Sequence, residues 1–186
     1  MATHLNIQKT LQAVSTILHL HGTKDMSYLR LLKLLYIADR ESIKDTGQPI
    51  TGDQVVAMKH GPVLSSVYGL IKKGDTTDWP VWSEHFRTVG YRIEQIKELG
   101  NEKLSRYEIA KLRELTKRYE DKNEWELVEI THEFPEWKRN DPGPSSKPIP
   151  LAHILAALGR SADESAIVQE AFDQQAFDRL FAGVGK

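Results

Sequence analysis

The chain is 186 residues long, with 40% hydrophobic residues, 27% charged residues, a net charge of -1 and no cysteine. That length and composition suit one globular domain with a sizeable core. The missing cysteines exclude a disulfide framework, a thiolate zinc site and a thiol nucleophile, and the near-neutral charge argues against nucleic-acid binding by the molecule as a whole.

In chain order, MATHLNIQKT has no basic stretch followed by an apolar run, so no secretory signal is expected. No stretch approaches the roughly 20 apolar residues of a membrane span, and a cytoplasmic location is the expectation. Ile7, Leu11, Val14 and Leu18 share one helical face, which predicts an amphipathic helix over 4–21, capped by Thr3 and closed by Gly22. A second helix is expected from Ser27 to about Lys44, where Leu31, Leu32, Leu34, Leu35, Tyr36 and Ala38 form a stripe broad enough for burial on much of the circumference.

Gly47, Pro49, Gly52 and Asp53 mark a turn-rich loop. VVAM at 55–58 is too short to assign by period and suits a buried strand. Pro62 is placed as the first residue of a new helix with Val63, Val67 and Leu70 on its inner face, Lys72 and Lys73 at its negative end, and Gly74 as its stop. DTTDWP reads as a turn, and Val89, Tyr91 and Ile93 alternate as a half-buried strand, paired with an earlier one around Phe86.

Ser105 and Glu108 form a capping box for a helix over 105–121, with Leu104 as a staple onto Ile109 and with Ile109, Leu112, Leu115 and Tyr119 inward. Glu114 and Arg118 stand in the favourable acid-first spacing. Asn123 and Glu126 repeat the box for a short helix with Trp125, Val128 and His132. The proline-rich segment FPEWKRNDPGPSSKPIP at 134–150, with 139–150 at its centre, reads as an extended surface loop, and helices at about 150–158 and 162–182, the latter with a Ser161–Glu164 box, are expected to return onto the body. Together these elements predict a mainly α (α+β) fold: a single domain over 1–186 with about six or seven helices and a small antiparallel β element.

Candidate chemistry is sparse. His19 and His21 fall on different sides of a helix and His132-Glu133 lacks the H-E-x-x-H spacing, so no metal site is predicted. Ser65 and Ser66 follow His60 but fall in the first turns of a helix, which argues against a nucleophile. Asp39 is a carboxylate on an apolar helix and needs a partner; Lys59, His60 and Arg40 are the ones the sequence offers. The preferred reading is structural, with Asp39 tying the turn-rich loop to the helix. The functional readings are a polar pocket for a ligand or a partner's side chain, or an Asp39–His60 acid–base pair. Tyr68, Trp79, Trp82, Trp125 and Trp137 are candidate interface anchors. Residues 97–122 carry eight Lys/Arg against six Asp/Glu, and the basic positions Arg106, Lys111, Arg113 and Lys117 are interleaved with Glu, the pattern of a solvated face.

Lys33-Leu34-Leu35-Tyr36, the Gly/Pro turn after it, and Ala57, Lys59, Gly61, Pro62, Val63 and Tyr68 together resemble the Panacea domain family. These are the SocA-like antitoxins, also met as GepA-like phage-associated proteins. The likeness runs over about 5–160, with Trp137 and Ile149-Pro150 similar to the family's C-terminal part, while the specific positions lie within 31–68. Leu64 departs from the proline common after G-P-V.

The resemblance implies a mainly helical domain with a small β element, acting as an antitoxin that silences a toxin protein encoded by an adjacent gene. It implies no catalytic residue, cofactor or metal. The positions it marks for the motif or for partner binding, together with their neighbours, are Lys33, Tyr36, Asp39, Arg40, Lys59, His60, Gly61, Pro62, Tyr68 and Trp137. A proteolytic adaptor that hands the toxin to a protease is the alternative within this reading. A DNA-binding autoregulator, suggested by the basic 97–122 stretch, is the alternative outside it.

Overall fold

A computed structural model describes residues 5–74 and 77–169. The broad apolar stripe of the second helix has the consequence its width predicts: in α2 (Tyr28–Thr46) every position from 31 to 39 is buried. Such a helix has no solvent face at its centre, so other elements must surround it. α1 (Ile7–His21) lies against it, and its N-terminus is capped by Asn6, whose side chain accepts the Lys9 N–H at 3.1 Å. Thr3, the expected cap, lies outside the described residues, and the helix expected from residue 4 begins at Ile7. Gly22 closes α1 at φ 78° and Gly47 closes α2 at φ 86°, the left-handed conformation that glycine takes without strain.

The motif segment differs from its expected form. β2 (Val55–Met58) and β3 (Gly61–Leu64) are an antiparallel hairpin with Lys59 and His60 as its turn. Pro62 therefore lies in a strand, opposite Ala57, and does not open a helix. β3 is an edge of its sheet, where a missing N–H is tolerated. α3 (Ser65–Ile71) begins three residues later, and its first N–H groups find a carboxylate from outside the helix: Asp53 accepts from Ser66 and Val67 at 3.1 and 3.0 Å.

α4 (Trp79–Ser83) forms where only a turn was expected, and it buries Trp82. The antiparallel pair around Phe86 exists as β4 (Phe86–Val89) and β5 (Arg92–Gln95), and β1 (Asp25–Ser27) adds a third strand unseen in the sequence. Gly90 and Tyr91 make the turn between them, so the Val89–Tyr91–Ile93 alternation does not hold: Val89 and Tyr91 are 58% and 80% exposed while Ile93 is buried.

α5 (Arg106–Arg118) and α6 (Glu124–His132) both start at the expected capping boxes, and Glu114 and Arg118 are ion-paired. The proline-rich segment is more ordered than an extended loop. Pro135 opens α7 (Pro135–Arg139), and β6 (Lys147–Pro148) joins the edge of β2. α8 (Leu151–Ala157) follows. Ser161 begins a 3-10 turn instead of capping a helix. Residues 164–169 are helical, and the rest of the helix expected over 162–182 lies outside the described residues.

The main core joins α1, α2, α3, α5, α6 and the β1–β5–β4 sheet. A smaller cluster of Ile43, Ala57, Ile149, Ile154, Leu155 and Ile167 joins α8 and the residues on either side of it to the far end of α2. Mainly helical with two small antiparallel sheets, the fold is of the α+β class expected.

Candidate functional site

Lys33 is the residue that the packing of α2 treats most oddly. Its side chain is fully buried, and its Nζ donates to the Pro62 carbonyl at 2.8 Å. Burial pulls the ammonium down to about 7, because a charge loses its hydration there and a single carbonyl replaces little of it. The bond pins the β2–β3 hairpin to α2. Gly61 makes the approach possible: its φ is +88°, and a Cβ there would fall 2.7 Å from Thr131 Oγ1 and 2.9 Å from Lys33 Nζ. The K-L-L-Y lysine and the G-P-V glycine thus interlock across the sequence.

Around this contact α6 and α7 close the other side. The His132 ring stacks on Trp137 with centroids 4.0 Å apart and planes 19° apart, and Trp137 Nε1 donates to the Met58 carbonyl at 3.3 Å. His132 Nε2 is buried without a hydrogen-bond partner. Burial, and then the nearby Lys33 charge, hold His132 below its ordinary value, with the Glu129 charge and the Lys59 carbonyl pulling the other way. His60 is exposed at the hairpin tip and meets Trp125 edge-on at 5.3 Å.

One turn further along α2, Tyr36 and Arg40 converge on Glu136. The Tyr36 hydroxyl donates to Oε1 at 2.6 Å, Arg40 Nε donates to the same oxygen at 2.5 Å, and Arg40 also lies 4.2 Å from the Phe134 ring centre. Glu136 is 1% exposed, so these two donors stand where water would otherwise hydrogen-bond it. Burial and the Glu136 charge push the Tyr36 hydroxyl well above its ordinary range. A hollow of about 240 Å³ between α7 and α8 is lined by Glu136, Arg139, His153 and Ala156 among others, and the Glu136 oxygens beside it are already engaged.

Asp39 takes neither Lys59, His60 nor Arg40 as its partner. Its carboxylate accepts from the backbone N–H groups of Ile50 and Thr51, each at 2.9 Å, and from the Thr51 hydroxyl. Burial raises it to about 7 against the pull of those donors. This is the structural reading, a tie between the turn-rich loop and α2. An Asp39–His60 acid–base pair is not formed, since Asp39 is buried in α2 with its carboxylate on the Ile50–Thr51 backbone while His60 is at the exposed hairpin tip.

Lys33, Gly61, Pro62 and Trp137 are therefore brought together, with the Lys59 backbone beside them; Tyr36 and Arg40 form an adjoining cluster, and Asp39 and Tyr68 stand apart. Thr131, Glu136 and Asp53 are the participants that sequence reasoning missed. Their partners are remote in the chain, and no local period signals such a pairing. On the surface, two of the four basic positions singled out on α5 are ion-paired, Lys111 with Glu41, Asp45 and Glu114 and Lys117 with Glu120.

A family model described as antitoxin SocA-like, Panacea domain, matches residues 31–138. The chain belongs to this family. The matched stretch of this Panacea domain opens in α2 and ends just after Trp137, so it includes both sides of each contact described above: Lys33 with Gly61 and Pro62, and Tyr36 and Arg40 with Glu136. No curated protein and no solved structure was found to match the chain. Among the described residues of this Panacea domain no helix is long and apolar enough to cross a membrane, and no group of three His, Asp or Glu side chains could hold a metal ion.

Proposed function

We propose that the whole chain acts as one antitoxin domain that silences a toxin protein encoded beside it, by covering the toxin directly. Family membership supports the antitoxin role. The observation that carries the binding mode is how the motif's polar groups are used. Lys33 is bonded to Pro62, Tyr36 and Arg40 to Glu136, and Asp39 to Thr51, each inside the fold. Groups spent in this way hold a surface in shape, and that surface is what a partner meets. Neutralisation at about nanomolar affinity corresponds to roughly 12 kcal/mol, which calls for an interface of about 1,600 Å² with several anchors.

The test is co-expression with the product of the adjacent reading frame, followed by size-exclusion of the mixture. Relief of growth arrest together with a co-eluting complex is the expected result. No relief and no complex removes the proposal. Toxin abundance in the same cells separates steric silencing, in which the toxin persists, from delivery to a protease, in which it declines.

A further inference from the structure

A patch at the end of α3 and the β4–β5 turn is used by none of the contacts above. Tyr91 and Val89 stand out from the hairpin tip, 80% and 58% exposed. The Tyr91 ring leans on Tyr28 at 6.1 Å. Lys72 Nζ donates to the Tyr28 hydroxyl at 2.7 Å and lies 4.5 Å from the Tyr28 ring centre and 5.9 Å from that of Tyr68. Three tyrosines thus cluster at one exposed, oriented ammonium.

The charges on the neighbouring sheet are already matched, Arg87 by Glu94 and Arg92 by Asp25. Lys72 and Lys73 have no ion pair among the described residues, whereas Lys111 and Arg118 on α5 each have several. Lys73 supplies a second, independent observation. At φ 57° it is the one non-glycine residue with positive φ among those described, and it follows the Lys72 C-cap, where glycine is favoured. The Gly74 N–H completes that helix end by donating to the Gly69 carbonyl at 2.8 Å. A lysine in this place strains the backbone and sets a second cation beside the first.

We infer that this patch receives an acidic segment of the partner toxin, with carboxylates on Lys72 and Lys73 and an apolar side chain against Tyr91 and Val89. The inference rests on the antitoxin reading and names a surface for it. Charge selects the occupant. A second copy of the chain in a two-fold contact would set lysine against lysine, and a nucleic acid needs a longer basic track than two side chains.

The probe is the protein encoded by the adjacent reading frame, purified as a loss-of-toxicity variant and titrated calorimetrically against the full chain. Wild type is expected to bind, more weakly as salt rises. Lys72→Glu and Tyr91→Ser should each weaken binding about tenfold or more. Lys73→Gly is the discriminating variant: its melting temperature should rise by about 2–4 °C while its affinity falls. Lys103→Gln, an exposed charge removal elsewhere, should bind as wild type does. If the patch variants bind like wild type while wild type binds well, the patch assignment is overturned and the antitoxin reading stands. If wild type itself does not bind, both fall. A dimer that Tyr91→Ser dissociates, or duplex DNA binding that Lys72→Glu abolishes, gives the patch another occupant and also overturns it.

Discussion

Replacing Lys33 with methionine should stabilise the protein at neutral pH and remove a specific part of its pH dependence. Burial takes the ammonium from its ordinary 10.5 to about 7. At pH 7 that difference makes Lys33 cost about 4 kcal/mol relative to a neutral side chain. Methionine removes this cost but leaves the Pro62 carbonyl, now bonded at 2.8 Å, without its donor. An orphaned carbonyl costs about 1–3 kcal/mol, so the net gain should be about 1–3 kcal/mol. The folded value lies below the unfolded one, so from about pH 7 to 10.5 the unfolded chain binds the extra proton and wild-type stability rises with pH. Below about 7 the penalty is present in full. Between pH 7 and 9.5 wild type should therefore gain about 3 kcal/mol on Lys33→Met, the other titrating groups cancelling in the difference. Urea unfolding followed by tryptophan fluorescence at three pH values in that range measures it. Parallel stability curves for the two proteins would refute the argument that Lys33 is a buried charge with only a carbonyl to replace its hydration.

Gly61→Ala should cost at least about 2 kcal/mol more than Gly143→Ala. Both sites have positive φ, but only at Gly61 would the new Cβ strike Thr131 and Lys33; equal losses in chemical denaturation would contradict the interlock. Glu136→Gln should destabilise by about 2–4 kcal/mol by leaving Arg40 without its buried partner. A double-mutant cycle with Arg40→Met checks this, and a coupling below about 0.5 kcal/mol would count against the pair. Asp53→Ala should cost about 1–2 kcal/mol and speed amide exchange at Ser66 and Val67, whose N–H groups it accepts. Unchanged exchange at those two amides would show that Asp53 does not cap α3.

Local patterns determined much of this protein. The α2 stripe, the Ser105 and Asn123 capping boxes and the glycine stop at Gly22 depend on neighbours within about one turn, and each is found where the sequence places it. The family was also legible, because its distinctive positions lie close together between Lys33 and Tyr68. Pro62 shows where local reasoning stops: a proline after glycine suits a helix start and an edge strand equally, and pairing with Val55–Met58 decides between them. Glu136 is more opaque still, being 96 residues from Arg40 in a segment that reads as proline-rich loop. The partner of a buried charge is chosen by which elements the core brings together, and Lys33 is buried against Pro62 and beside Gly61 for the same reason. A carboxylate or an ammonium carries no period of its own. Only the folded chain, by excluding water from those sites, specifies which group must replace it.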